Sequence, residues 1–196
     1  MTDDFILRRA VVSASGIIYW AGVFILARRI RKQIGKTPNL KPRGTKEKIL
    51  WLAWLLVIAT WIGQPLLVHN KDLPNISGSQ LILGLALVVA GYAATLWCYA
   101  AMGNAWRIGV DQREKNPLIT RGPYRTVRHP IYSFQIVMLA GALLLLPTPL
   151  SLVALAVHAI CALIKGADEE KYLQTVHGEA YRAYLARTGR LFPKIF

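Results

Sequence analysis

The chain has 196 residues, 54% of them hydrophobic and 17% charged, and its mean hydropathy is +0.36. A soluble domain carries roughly a quarter charged residues, so this deficit excludes an ordinary water-soluble fold and points to lipid as the solvent. A balance of 24 Lys+Arg against 10 Asp+Glu would suit a nucleic-acid partner, but the basic residues fall between apolar runs, where they suit anionic lipid headgroups instead.

Five apolar segments follow in chain order, at about 10–27, 49–68, 81–102, 131–146 and 150–164. The first three approach the ~20 residues that cross ~30 Å of hydrocarbon. Asp3 and Asp4 precede the first segment and Arg28-Arg29-Ile30-Arg31-Lys32 follows it, which is the order of a stop-transfer helix rather than of a cleaved signal. The last two segments are shorter, and Pro147-Thr148-Pro149 between them predicts a tight helical hairpin. The expected class is therefore all-α: a multi-pass integral membrane protein of about five transmembrane helices, one membrane domain over 1–196.

Charge sets the expected topology. Nine Lys and Arg lie in 28–48, six in 103–130 and six beyond 164, against Arg8, Arg9 and Lys71 on the other side. Twenty-one against three predicts an N-terminus outside and a cytoplasmic C-terminus. Asn75-Ile76-Ser77, on the outer side, is formally a glycosylation triplet of a kind that arises often by chance. Past the fifth segment, Tyr172, Leu173, Val176, Tyr181, Tyr184 and Leu185 recur at three- and four-residue intervals, with Gly178 dividing them. This reads as the fifth helix leaving the membrane and continuing as an amphipathic cytoplasmic helix, either an anchor or a lid.

The unusual residues gather on the inward side. Gly122-Pro123 makes a turn, and Pro130 suits the first turn of the fourth helix, which leaves Arg128 and His129 at its N-terminus. Free N–H groups there would bind a carboxylate; the alternative is that Arg121, Arg125 and Arg128 are interfacial anchors. In Lys165-Gly166-Ala167-Asp168-Glu169-Glu170, Lys165 and Glu169 are four apart and share a helical face, offering one cation and one anion, while Glu170 reads as solvated helix surface. His158 is an intramembrane ionisable group and reads as a neutral, hydrogen-bonded core histidine; His69 and His177 read as interfacial. Cys98 and Cys161 read as filler in helix interfaces. The sequence contains no metal-ligand spacing, glycine-rich phosphate loop or serine-nucleophile elbow.

The run Leu118-Ile119-Thr120-x-Gly122-x-Tyr124, then Arg128-His129-Pro130-x-Tyr132, resembles the isoprenylcysteine carboxyl methyltransferase family in its small prokaryotic form. So do Glu169-Glu170, the later Gly178-Glu179-x-Tyr181-x-x-Tyr184, and the ending Thr188-Gly189-Arg190-Leu191-Phe192-Pro193. The match covers about the last ninety residues; the first half agrees in helix count only. Phospholipid N-methyltransferases, small-thiol S-methyltransferases and, in part, sterol reductases share the wider superfamily.

The resemblance implies S-adenosyl-L-methionine bound between the last helices and the cytoplasmic loops, with S-adenosyl-L-homocysteine as product. It makes 104–196 the cofactor-binding half and 1–103 the three preceding helices. Pro117, Leu118 and Ile119 would wrap the cofactor, Tyr124, His129, Pro130, Ile131 and Tyr132 would line its turn, and Glu169 would hold its polar groups. Asn116 stands where the family often has His. Lys165 falls where the family has an Arg associated with the methyl acceptor, and Arg128 and Lys165 are the candidate catalytic residues. The implied substrate is lipophilic or prenylated, prenylcysteine carboxylates first and a small thiol or phospholipid amine as alternatives, and the tail becomes a lid. A fold-related NADPH reductase and a non-catalytic scaffold or transporter are the rivals. A carboxylate acceptor needs no general base, whereas an amine or thiol must first lose its proton.

Overall fold

The computed structural model describes residues 2–35, 44–106 and 117–194. Asn116 and the basic residues Lys36, Lys41, Arg43, Arg107, Arg113 and Lys115 lie outside the described residues. Five helices follow in order: α1 (Thr2–Ile34), α2 (Thr45–Leu67), α3 (Gly78–Met102), α4 (Pro130–Leu145) and α5 (Pro149–Arg187). Four are long and apolar enough to cross a membrane, and α4, with 16 residues, is the shorter fifth. The architecture is all-α and multi-pass, as the five apolar segments predict.

Each of the four longer helices also exposes large apolar residues on its outer side. On α1 the buried positions Val12, Tyr19, Val23, Ala27 and Ile30 repeat along one stripe, while Ile17, Ile18, Phe24 and Ile25 are exposed. On α3 the buried stripe is small, namely Gly84, Val88, Gly91, Thr95, Cys98 and Ala101, and Ile82, Val89, Leu96 and Trp97 point away. Apolar surface gains nothing by leaving lipid for protein, so helices in a bilayer associate through close packing of small residues. A Cβ on Gly91 would meet Met138 Cγ at 2.6 Å and Phe134 O at 2.8 Å, and one on Gly141 would meet Gly84 O at 2.7 Å. These glycines set α4 directly against α3.

The helix ends follow from local chemistry. Ser77 caps α3 by accepting from Gln80 N at 3.1 Å, and Gly103, with φ +54°, closes its other end. Thr148 caps α5 by accepting from Ser151 N at 3.0 Å, and Pro149 occupies the first helical position, where no N–H is needed. The Pro-Thr-Pro element is thus a two-helix hairpin turn. Gly178, with φ +52°, kinks α5 where the amphipathic pattern divides.

The bundle has two chemically distinct ends. At one, Arg9 donates to Pro65 O and, at 3.0 Å, to Leu66 O, and Arg8 donates to Leu145 O at 3.4 Å. These guanidinium groups meet the unpaired carbonyls that close α2 and α4. At the other end, Lys46 Nζ lies 2.5 Å from Asp168 Oδ2 and Lys165 Nζ 3.7 Å from Glu47 Oε1, tying the start of α2 to α5 beyond its apolar stretch. The turn ahead of α4 lies at this second end.

Candidate functional site

Three devices position the turn. Gly122, with φ +58°, takes a left-handed conformation that a side chain would strain, and Arg121 Nε donates to Ala101 O at 2.9 Å at the end of α3. Residues 126–129 then pair in parallel with the segment after α5: Gly189 N donates to Thr126 O at 3.0 Å, Arg128 N to Gly189 O at 2.9 Å and His129 N to Arg190 O at 3.0 Å. Gly189 is required here, because a Cβ would fall 1.7 Å from Phe192 O. Ser133 Oγ and Tyr184 Oη extend the clasp, donating to Leu191 O at 2.5 Å and to Tyr124 O at 2.6 Å.

Glu170 is the electrostatic centre of this clasp. It accepts from Arg128 Nε at 2.7 Å and from both arms of Arg190, at 3.1 and 2.7 Å, and His129 Nε2 lies 3.4 Å away. Arg128 also donates to Thr188 O. At 4% exposure Glu170 is buried, which corrects its reading as solvated helix surface. The reason is angular: neighbours on a helix project about 100° apart. Glu169 therefore faces the space beside His129 while Glu170 faces the two arginines.

Glu169 accepts from the Tyr132 hydroxyl at 3.1 Å, and His129 Nδ1 lies 3.3 Å from its other oxygen. The His129 and Tyr132 rings stack at 5.8 Å with 15° between their planes. Gly166 leaves room for this imidazole, since a Cβ there would press on His129 Cδ2 at 3.1 Å. Burial alone would lower the His129 pKa; contacts with Glu169 and Glu170 outweigh it and raise the pKa above the ordinary value.

A cavity of about 280 Å³ opens beside these groups. Pro117, Leu118, Ile119, Tyr124, Arg128, His129, Ile131, Tyr132 and Glu169 all line it. Pro130 does not line it and is buried as the first residue of α4. Lys165 also stands outside the lining, beside Glu47. The tail contributes Tyr172, Leu173 and Val176 before the Gly178 kink and Tyr181 and Tyr184 after it, so its apolar face forms one wall of the cavity. The first three helices contribute Tyr19, Trp20, Trp54 and Tyr99, and α4 adds Gln135. In the sequence these aromatic residues are indistinguishable from lipid-facing ones, and only Gln135, a polar residue inside an apolar run, carried a signal. His158 is 3% exposed, its ring is 6.4 Å from that of Trp54, and its Nε2 has no hydrogen-bond partner among the described residues.

A family model described as phospholipid methyltransferase matches residues 79–180, more than half of the chain. The chain belongs to the phospholipid methyltransferase family. The matched stretch contains the turn, α4 and both glutamates. Among curated relatives, the chain is 30% identical to the cobalt-zinc-cadmium resistance protein CzcN of Cupriavidus metallidurans over 147 residues, 72% of this chain and 62% of that protein. It is 28% identical to protein-S-isoprenylcysteine O-methyltransferase B of Arabidopsis thaliana over 107 residues, 53% of this chain and 54% of that one. A probable protein-S-isoprenylcysteine O-methyltransferase of Oryza sativa subsp. japonica is 28% identical over 116 residues, 58% and 61% of the two chains. The chain thus spans between 54% and 62% of the length of these relatives. The resemblance read from residues 118–193 agrees with the names of the plant relatives.

Proposed function

We propose that the chain transfers a methyl group from S-adenosylmethionine to an acceptor presented at the membrane, with His129, Tyr132 and Glu169 on the donor's side of the cavity. The observation that carries this reading is the convergence on one cavity of the turn ahead of α4 and the acidic stretch of α5. The lining suits the cofactor. The Glu169 carboxylate can accept from an ammonium or from ribose hydroxyls, Leu118, Ile119 and Tyr124 offer apolar contact to a purine, and aromatic faces such as Tyr132 and Trp54 attract a sulfonium cation. Two polar atoms on lining residues, Trp20 Nε1 and Tyr181 Oη, are buried without a hydrogen-bond partner among the described residues, which suits a site that receives a polar ligand.

When bound, S-adenosylmethionine supplies an electrophilic methyl group and leaves as the neutral thioether S-adenosylhomocysteine. Tyr172, Leu173 and Val176 give the cavity an apolar wall, and a wall that sheds water on ligand binding strengthens the charge interactions inside it. The names of the plant relatives bring one acceptor class, the isoprenylcysteine-type carboxylate; it is already ionised and requires only positioning. One observation favours a second class, a neutral hydroxyl or thiol. Arg128 is already paired with Glu170, and Lys165 stands outside the lining, so neither is positioned to hold a carboxylate. A neutral acceptor must lose its proton, and the Glu169 carboxylate is a base on the cavity wall. The Lys and Arg bias supports an outside N-terminus and a cytoplasmic C-terminus. Walls drawn from both halves of the chain support reading 1–196 as one domain.

The test is transfer of a radiolabelled methyl group by the full chain in lipid nanodiscs, with N-acetyl-S-farnesylcysteine, a phenol, an alkanethiol and phosphatidylethanolamine as acceptors. Labelled product from any of them, abolished by Glu169→Gln, supports the proposal. No transfer together with no stabilisation by S-adenosylhomocysteine would end it, and stabilisation by NADPH alone would favour a reductase.

A further inference from the structure

The membrane-side end of the cavity is polar in a way the donor's side does not use. Tyr19 of α1, Tyr99 of α3 and Gln135 of α4 line it, and Gln135 lies six residues further along the chain than His129, about 9 Å at 1.5 Å per residue. Gln135 Nε2 donates to the Tyr19 hydroxyl at 2.6 Å, and the Tyr99 and Tyr19 hydroxyls share a hydrogen bond at 3.2 Å. Tyr19 is 3% exposed and Gln135 8%. The Trp20 ring stands edge-on to Tyr19 at 5.5 Å.

A count of donors and acceptors shows what is left over. The two hydroxyls carry two hydrogens, and one is used between them whichever tyrosine donates. Among the described residues no hydrogen bond is formed by the other hydrogen, by Gln135 Oε1 or by the second N–H of the Gln135 amide. Trp20 Nε1, in another residue of the lining, is buried with no partner among the described residues. One O–H, one indole N–H, one amide oxygen and one amide N–H are therefore unsatisfied along helices that cross hydrocarbon, where unmet polar groups are most costly. A ligand with a hydrocarbon end would leave all four unmet. A ligand with a hydroxyl or amide at that end can accept from the O–H or the N–H and donate to Gln135 Oε1.

Building on the methyl-transfer reading, we propose that this end is the acceptor subsite and that it selects a compact acceptor whose buried end carries a neutral hydrogen-bonding group, over one that ends in a hydrocarbon tail. Tyr19 and Gln135 are the specificity-determining residues. They reject the tail because it desolvates them and pairs with neither.

The test compares 4-hexylphenol with hexylbenzene, titrated into the full chain in detergent saturated with S-adenosylhomocysteine and followed by tryptophan fluorescence. Each probe partitions into the micelles equally for every variant, so the change in preference between variants is free of that effect. The wild type is expected to prefer the phenol about tenfold, and Tyr19→Phe and Gln135→Leu to reduce the preference to within about twofold. Tyr19→Phe removes a single oxygen, and stabilisation by S-adenosylhomocysteine reports whether Gln135→Leu is folded. Equal binding of the two probes by the wild type, no binding of the phenol, or a preference that survives in both variants overturns the proposal. Loss of S-adenosylhomocysteine binding in the wild type would instead sink the methyl-transfer reading, while the probe preference is still read directly.

Discussion

Replacing Glu170 by Gln keeps the size of the side chain and removes its charge from the centre of the clasp. In the folded chain this carboxylate accepts from Arg128 at 2.7 Å and from Arg190 at 3.1 and 2.7 Å. The Arg128 side chain is 9% exposed, so its guanidinium would lose its counter-charge away from water, a change that costs about 3–5 kcal/mol. Arg190 is 38% exposed and regains hydration, so it adds little. The lower end, about 3 kcal/mol, is the expected cost, and at ~2–4 °C per kcal/mol the apparent Tm falls by roughly 6–12 °C. The assay is intrinsic-fluorescence melting of the detergent-purified chain. Glu170→Met combined with Arg128→Met leaves no unpaired charge on that side and should recover more than half of the loss. A Glu170→Gln protein that melts within about 1 °C of the wild type would refute the claim that this ion pair holds the turn to the C-terminal segment.

Two further predictions concern the same clasp. The raised pKa of His129 means that the fold favours its charged form, so its contribution is full below the ordinary value of about 6.5 and is lost as pH climbs through the raised value. The apparent Tm should therefore decline on moving from mildly acidic to alkaline buffer, and His129→Gln should flatten that slope; parallel profiles would contradict the assignment. Gly189→Ala places a Cβ where Phe192 O stands, 1.7 Å away, so the C-terminal segment must leave the turn. Limited proteolysis should cut this variant near its C-terminus at rates the wild type resists, and equal resistance would show that the segment can adapt.

Much of this arrangement is legible in the residues, and the rest is hidden for definite reasons. Apolar length marks the helices, Pro130 and Pro149 mark two starts, and Gly178 marks the kink, because each is a local rule of the backbone. The cavity's turn and Glu169 become legible only through the resemblance, since one arginine-rich turn looks much like another at a membrane surface. Glu170 was hidden because its partners are far apart in sequence: Arg128 lies 42 residues before it and Arg190 20 after it. Lys165 shares a helical face with Glu169 by spacing, yet its ammonium turns to Glu47 of α2, a neighbour that spacing does not reveal. Tyr19, Trp20 and Trp54 were hidden for the opposite reason. Aromatic residues in an apolar helix carry no mark of whether they face lipid or a cavity.

The donor's place is tested most directly by the affinity of S-adenosylhomocysteine for the wild type and for Glu169→Gln, measured by calorimetry on the purified full chain. Removing the charge from a carboxylate that accepts from the ligand should weaken binding by at least about tenfold, with little change in the unliganded Tm. Equal affinity in the two proteins would mean that the donor is held elsewhere, and the cavity between the turn and α5 would lose its assigned role.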